Sequence, residues 1–308
     1  MTALRVGTLG TPRMLRSSVD ERRALLARAA DAGLDHLFIA DHVSFFDGRG
    51  MDGLVNAATL LASHPRLHVN VGVYLLALRH PLPVARQIAS LCESAPGRLS
   101  LGVGVGGEDR HEIEICGVDP KTRGRRTDEA LAVLRPLLAG ERVTHHGEFF
   151  AFDDALIRPA PKAAVPITIG GRSSAAVQRT GRHGDGWLGV WCSPKRYAEV
   201  VRETATIAAE SGRSNVAWRH GLQVWTACDP DRDTARARLA AAMEDMYRTP
   251  FARFERYSPA GSAAEIADFL APYVEAGCSE FNVMCIAESD EASIDAVAEV
   301  KRRLDQRG

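Results

Sequence analysis

Short apolar runs alternate with amphipathic segments along the whole chain. The runs are rich in Val, Leu and Ile and show little period-two alternation, a pattern typical of parallel strands that are buried on both faces. This pattern predicts eight strands, at residues 4–9, 36–40, 67–76, 98–104, 166–169, 186–190, 216–227 and 280–286.

The amphipathic segments between these runs carry the start signals of helices. Ser18 with Glu21, and Ser262 with Glu265, have the spacing of a capping box. Ser193 is followed by Pro194, a residue that is favourable at the first helical position. Helices are therefore predicted after Ser18, Ser193, Ser262 and Ser289. The spacing of apolar residues predicts five more, at 51–63, 83–94, 127–138, 173–183 and 233–246.

The order of these elements predicts the fold class. Eight strands, mostly followed by helices and divided by no linker, predict an α/β fold, a single-domain (β/α)8 TIM barrel over residues 1–308. A doubly wound sheet is the rival architecture. Two insertions interrupt the repeat: residues 142–152 are predicted to form a hairpin, and residues 248–260 carry a proline near each end.

Composition and charge narrow the function classes. The formal net charge of −1 offers no bulk electrostatic attraction to nucleic acid or to an anionic membrane. The six cysteines form no C-x-x-C pair and no zinc-type spacing, so we expect no metal site and a reducing environment. We find neither a leader pattern at the start nor a run of about 20 apolar residues. These features predict a soluble, cytoplasmic protein whose partner is a small molecule.

The stretch LSLGVGVGGE at 99–108 contains the pattern G-x-G-x-x-G, formed by Gly102, Gly104 and Gly107. A dinucleotide-binding fold requires a second strand that ends in an acidic residue about 20 residues later. The segment that follows here is polar and broken, so this interpretation fails. In a barrel the glycines end the fourth strand on the face that carries active sites. We expect Gly104 and Gly106 to let the backbone approach a ligand closely, although a tight loop with positive φ is the plainer alternative.

Seven segments together carry a family resemblance: AADAGLDHLFIADH (29–42), LRHPLPVARQIASL (78–91), GRLSLGVGVGGEDRHEIEICGVD (97–119), RGRRTDEALAVLRPLLAG (123–140), VTHHGEFFAF (143–152), PITIGGRSSAAVQRTGRHGDGWL (166–188) and SAAEIADFLAPYVEAGCSEFNV (262–283). In order and spacing they resemble the bacterial-luciferase-like superfamily, and within it the oxidoreductases that use the deazaflavin coenzyme F420. The resemblance implies a TIM barrel with insertions, a flavin or deazaflavin at its carboxyl-end mouth, and a homodimer.

Asp41 and His42 directly follow the second predicted strand, so a barrel places them on its catalytic face. A strand-end histidine can equally bond a loop carbonyl. The resemblance implies that His42 lies beside the reactive carbon of the cofactor and transfers a proton, and that Asp41 orients it or favours its charged form. It also implies that Phe45 and Phe46 face the substrate, where related proteins often have tryptophan.

The resemblance assigns two further segments to the cofactor. It implies a bulge with a non-proline cis peptide at Gly72–Val73, behind the ring; the plain alternative is an ordinary buried strand. It also implies a phosphate site between the fifth strand and its helix, where a helix N-terminus favours anions and where simple capping by Ser173 is the alternative. The residues of this second segment are Gly170, Gly171, Arg172, Ser173 and Ser174.

Glu108 follows the glycine run and is the third candidate catalytic residue. In related dehydrogenases a glutamate after this loop faces the substrate, whereas an exposed loop acid is usually only solvated. The basic run 121–126 is expected to form a solvated surface, or to meet the acidic glutamyl tail of a deazaflavin.

The first functional hypothesis is therefore an F420-dependent oxidoreductase that moves a hydride to or from a small organic substrate. The second is a monooxygenase that uses reduced FMN. Many FMN-using relatives resemble a Glu-His sequence at the position where this chain has Asp41-His42. The third is a barrel that binds a flavin or deazaflavin without turnover.

Overall fold

Eight parallel strands close into a barrel in the computed structural model, which describes residues 4–307. Each strand pairs with its neighbours in chain order, and the eighth pairs with the first. The strands are β1 (Arg5–Leu9), β2 (His36–Ile39), β3 (His68–Leu75), β4 (Leu99–Gly104), β5 (Ile167–Gly170), β6 (Gly186–Val190), β7 (Gly221–Cys228) and β8 (Glu280–Cys285). The predicted (β/α)8 barrel is confirmed.

A helix follows each strand and packs outside the barrel. The helices are α1 (Val19–Asp31), α2 (Gly53–Ser63), α3 (Pro81–Ser94), α4 (Arg123–Leu138), α5 (Ser174–His183), α6 (Pro194–Glu210), α7 (Ala263–Glu275) and α8 (Asp290–Asp305). Both predicted capping boxes form, Ser18 with Glu21 and Ser262 with Glu265. The hydroxyl of Ser193 caps α6, which begins at Pro194 as predicted.

Several boundaries differ from the prediction, and the largest shifts are at the starts of α4 and β7. Helix α2 begins at Gly53 instead of residue 51, because Asp52 caps it by accepting from the amides of Leu54 and Val55. Helix α4 begins four residues earlier than predicted, and β7 begins at Gly221 rather than at residue 216.

Elements outside the repeat collect around the carboxyl ends of the strands. A hairpin that the sequence did not predict follows β2 and pairs His42–Phe45 with Arg49–Met51. A short helix, Arg110–Ile115, follows β4. A longer helix, Arg232–Tyr247, follows β7, and we call it the mouth helix.

Both predicted insertions are confirmed as departures from the repeat. The first forms a hairpin of Val143–His146 with Ala151–Ala155. The second contains two 3-10 helices, Phe251–Arg253 and Glu255–Tyr257.

Apolar side chains form two cores. The larger lies between the barrel and the surrounding helices. The smaller lies under the mouth helix, where Phe38, Trp225 and Met284 of three barrel strands pack against Leu239 and Met243. The mouth helix and the second insertion therefore cover the β7–β8–β1–β2 side of the barrel mouth. Within the described residues, no helix is long and apolar enough to cross a membrane.

Candidate active site at the carboxyl end of the barrel

His42 is the first strand residue of the hairpin after β2, and its imidazole contacts a carboxylate from another part of the chain. Its Nδ1 lies 3.0 Å from Oε2 of Glu112, which belongs to the short helix after β4. The other oxygen of Glu112 accepts hydrogen bonds from the amides of Val43 (2.6 Å) and Ser44 (3.1 Å). The Glu112 side chain is 3% exposed and that of His42 is 22% exposed. Glu112 thus fixes the ring and the hairpin together, and within residues 4–307 no hydrogen bond is made by Nε2 of His42.

The surroundings of Glu112 favour its ionised form. Burial by itself raises the pKa of this carboxyl. Hydrogen bonding and charge interaction with His42, together with hydrogen bonds from the two hairpin amides, lower the pKa by more than burial raises it. The net result is a pKa below the ordinary value of 4.5. An ionised Glu112 accepts a hydrogen bond from the N–H at Nδ1 of His42. In neutral His42 the proton is therefore on Nδ1, and Nε2 carries the lone pair that can accept a proton.

Two phenylalanines extend from His42 along the hairpin. The Phe45 ring lies 4.2 Å from the imidazole and 4.3 Å from the Phe46 ring, measured between centroids. Phe45 is buried, whereas Phe46 is 37% exposed and has a φ of 46°, a left-handed conformation that is uncommon for a non-glycine residue. The carboxylate of Asp109 holds this turn by accepting from the Phe46 amide at 2.6 Å.

Asp41 does not contact the imidazole, so the prediction that it orients His42 is wrong. Its two oxygens accept from Arg79 at 2.7 and 2.8 Å, and from the amides of Gly53 and Leu75. The physical reason is direction: neighbouring residues of an extended chain point to opposite sides, so Asp41 and His42 diverge. Asp41 ties together the ends of β2 and β3 and the start of α2.

The predicted bulge in β3 is confirmed. The Gly72–Val73 peptide is cis, and the register between β3 and β4 shifts between Val71 and Tyr74. The Val73 side chain occupies the space that side chains at Gly104 and Gly170 would fill: a Cβ on Gly104 would collide with it, and one on Gly170 would lie 2.8 Å from its Cγ1. These two glycines are therefore explained by close approach of Val73.

The later glycines of the same run form the loop toward the short helix. Gly106 has a φ of 69° and Gly107 a φ of 148°, conformations that other residues rarely adopt. Glu108 follows them and is exposed. The positive-φ alternative thus applies to Gly106 and Gly107, whereas Gly104 makes room for the Val73 side chain. That a ligand approaches Gly104 and Gly106 closely stays a prediction.

The segment between β5 and α5 presents donors suited to an anion. Gly171 has a φ of 122°, and its carbonyl accepts from the indole of Trp187 at 2.7 Å. Ser173 caps α5 by accepting from the amide of Ala176, and the first amides of a helix lack intrahelical acceptors. Arg172 is exposed, and its guanidinium lies 5.4 Å from the centre of the Trp191 ring.

Three aromatic side chains that the sequence did not single out form a cluster, which we call the aromatic box: Trp191, Tyr247 and Phe254. Their ring centroids are 4.6 to 5.4 Å apart. Trp191 directly follows β6, Tyr247 ends the mouth helix, and Phe254 lies in the second insertion. Trp191 lies more than 50 residues before Tyr247 and Phe254, so periodicity along the chain could not group the three.

Glu112 was missed for a related reason. Asp109 caps the short helix by accepting from the His111 amide, a signal that could have predicted this helix. The contact of Glu112 with His42, which lies 70 residues earlier in the chain, exists only because β2 and β4 end at the same face of the barrel.

Fold and site together define a (β/α)8-barrel enzyme whose candidate site lies at the carboxyl ends of its strands. The chain belongs to the luciferase-like monooxygenase family, whose model matches residues 3–303. An F420-dependent glucose-6-phosphate dehydrogenase of Beutenbergia cavernae is 33% identical over 218 residues, which are 67% of this chain and 64% of that protein. An uncharacterised protein of Mycobacterium tuberculosis is 33% identical over 172 residues, which are 56% of this chain and 59% of that protein.

The fold has a close likeness among solved structures. An F420-dependent secondary alcohol dehydrogenase in complex with an F420-acetone adduct superposes with a TM-score of 0.82 and 22% identity, covering 98% of this chain and 99% of that one. The matched segments span 64% and 59% of the length of the two curated relatives. These matches confirm the resemblance to luciferase-like proteins and, among them, to F420-dependent oxidoreductases.

Proposed function

We propose that this protein is an F420-dependent oxidoreductase that moves a hydride between the deazaflavin and a small organic substrate. The observation that carries the proposal is the His42–Glu112 pair at the barrel mouth, one strand away from the bulge at Gly72–Val73. In this proposal His42 is the proton-transfer group, and the β3 bulge beside it would support the flat ring of the cofactor. Relatives that are named as F420-dependent support the choice of cofactor.

The donors at the start of α5 fit the phosphate of such a cofactor. The first amides of the helix, the hydroxyls of Ser173 and Ser174, and the guanidinium of Arg172 are all groups that bind anions. The ring would lie against the β3 bulge at Gly72–Val73, next to Gly104. A bound deazaflavin supplies the hydride chemistry, and the protein supplies position and electrostatics.

His42 would exchange a proton with the substrate through Nε2. When the substrate is reduced at carbon, its oxygen gains a proton, and Nε2 of a protonated His42 can donate it. In the reverse direction neutral His42 accepts that proton. The Glu112 carboxylate holds the orientation of the imidazole, so that Nε2 of the same ring would serve both directions.

The test is equilibrium titration of the purified protein with oxidised F420 and, separately, with FMN. We expect F420 to bind more tightly than FMN. Arg172→Ala should weaken F420 binding about tenfold, because it removes a charge-assisted contact. The matched control is Arg182→Ala, which removes an exposed arginine from the other end of the same helix and should leave the affinity unchanged.

Tighter binding of FMN, or turnover that stops without dioxygen, would reassign the protein to the reduced-FMN monooxygenases. Tight F420 binding with no hydride transfer to any carbonyl or alcohol would favour a barrel that binds the cofactor without turnover.

A further inference from the structure

The aromatic box lies across the barrel mouth from His42. Trp191 follows β6 and His42 follows β2, and in a ring of eight strands these two are four apart and thus opposite. The hairpin that carries His42 nevertheless touches the end of the mouth helix, through ion pairs of Arg49 with Asp245 (2.7 Å) and of Arg248 with Asp47 (3.0 Å). The end of the mouth helix that carries Tyr247 of the box is therefore tied to the hairpin that carries His42.

The box offers ring surface together with hydrogen-bond donors. Trp191 and Tyr247 meet edge to face at 5.0 Å, and Phe254 packs on both. The indole Nε1 of Trp191 is buried and has no hydrogen-bond partner among residues 4–307. The Tyr247 hydroxyl accepts from the Trp225 indole at 3.1 Å, which leaves its own proton to donate. A ligand seated here gains most if it presents acceptor atoms.

Apart from Arg172, the charged groups described next do not favour an anion in the box. Burial raises the pKa of Tyr247 well above its ordinary value, and the nearby Glu108 carboxylate raises it further, so the hydroxyl stays neutral. Arg49 and Arg248, which join the hairpin to the end of the mouth helix, are both paired with carboxylates. Arg172 lies on the Trp191 face next to the start of α5, where the proposed function uses it for the cofactor phosphate.

The backbone at Trp191 supports a dedicated role for this side chain. Its φ of 46° is in the left-handed region, as is that of Phe46 on the opposite side of the mouth. Such conformations are costly for bulky residues and concentrate at functional sites. Among residues 4–307, four non-glycine residues have a positive φ: two are these aromatic residues at the mouth, and the others are Asp154 and Arg248.

Building on the proposed function, we propose that the substrate is an uncharged cyclic or aryl carbonyl compound, or the matching alcohol, whose ring packs in the aromatic box. The relative that is named as a glucose-6-phosphate dehydrogenase acts on a charged sugar. Aromatic rings packed edge to face and buried neutral donors favour an apolar ring with an acceptor oxygen. Trp191, Tyr247 and Phe254 are thus the specificity-determining residues of this site.

The test is calorimetric titration of the protein, with and without F420, using three probes. Acetophenone carries the ring and the acceptor, 4-acetylbenzoate adds one negative charge, and glucose 6-phosphate is the charged sugar. We expect acetophenone to bind at least tenfold more tightly than either charged probe. Tyr247→Phe keeps the ring but removes the hydroxyl, and should weaken acetophenone binding about 2- to 10-fold. Phe254→Leu keeps the apolar volume but removes the aromatic contact, with an effect of about 2- to 10-fold.

The matched control is Trp218→Ala, which removes an aromatic ring that stacks on His220 at the amino end of the barrel. Acetophenone binding should be unchanged in this variant. Equal or tighter binding of a charged probe would overturn the inference, as would acetophenone binding that neither box variant weakens. F420 binding without acetophenone binding would also overturn it while leaving the proposed function intact. Acetophenone binding that both box variants weaken, in a protein that does not bind F420, would refute the cofactor assignment and uphold the box.

Discussion

At the scale of single residues, the proposed chemistry depends on which carboxylate contacts His42. Two acids were available near it along the chain or the loop, Asp41 and Glu108, and neither makes the contact. Glu112 does, and its second oxygen accepts two hairpin amides, so the orientation of the imidazole is coupled to the position of the hairpin. His42 is consequently better fixed than a strand-end histidine bonded to a loop carbonyl.

We predict that His42→Ala lowers kcat by about 10²–10⁴, the usual contribution of a general acid–base residue, and leaves the affinity for F420 nearly unchanged. The measurement is turnover of F420 with the substrate that the titrations identify, together with cofactor binding for each variant. His111→Ala, an exposed histidine on the neighbouring short helix, is the control and should keep full activity. A His42→Ala protein with full turnover would remove His42 from the mechanism.

At the scale of elements, Asp41 joins three segments that meet beside the site. Its side chain is fully buried, pairs with Arg79 through both oxygens, and accepts amides at the start of α2 and at the end of β3. The Arg79 guanidinium also lies 4.3 Å from the centre of the Tyr74 ring. The residue that the sequence placed in catalysis thus acts as a support for the bulge of β3.

We predict that Asp41→Asn lowers the free energy of unfolding by about 3 kcal/mol, because it leaves the half-buried Arg79 without its charge partner. Urea unfolding followed by circular dichroism measures the change. The control is Asp47→Asn, which breaks exposed ion pairs with Arg49 and Arg248 and should cost less than about 1 kcal/mol. An Asp41→Asn variant as stable as the wild type would show that this network does not stabilise the fold.

At the scale of the whole molecule, the candidate site lies at one end of the barrel and buried polar contacts lie at the other. The carboxyl ends of the strands carry His42, the bulge and the aromatic box. The amino ends carry buried polar groups with structural contacts, among them His220, whose Nδ1 accepts from the Trp187 amide at 3.1 Å. The homodimer that the family resemblance implies stays a prediction, which light scattering of the purified protein can test.

We predict that the protein loses stability at acid pH because buried histidines at the amino end of the barrel become protonated on unfolding. Burial lowers the pKa of His220 to about 4. His220 is therefore protonated near pH 6.5 in the unfolded chain, but only near pH 4 in the folded protein. The unfolded state therefore binds more protons in this window, and the free energy of unfolding falls as the pH falls, by about 3 kcal/mol between pH 6.5 and 4. Urea unfolding at several pH values measures this slope.

His220→Gln should reduce that slope, whereas the exposed His111→Gln should not. His68, whose pKa burial and nearby Arg5 also lower to about 4, adds to the same effect and would keep part of the slope in the His220 variant. Below pH 4.5, Glu112 contributes in the same direction, because the stability gained from its lowered pKa is lost when it is protonated. A slope that is identical in the wild type and in His220→Gln would contradict the assignment.

The sequence by itself determined the elements and their order. Apolar runs, capping boxes and the lack of a linker depend on neighbours within a few residues, so the eight strands, the ring of helices and the hairpin at 142–152 could be predicted. The face that carries the site followed as well, because every parallel strand of a barrel ends on the same side. His42, Phe46, Val73 and Arg172 all lie at or near this face, as expected.

Only the tertiary structure decided which side chains meet there. The partner of His42 comes from 70 residues away, Val73 fills the space left by two glycines on other strands, and the aromatic box joins β6, the mouth helix and an insertion. Asp41 and His42, adjacent in sequence, point to different partners because successive side chains of an extended chain diverge. Closure of the barrel brings together strand ends that are far apart in sequence. Local sequence patterns do not contain the distances between them.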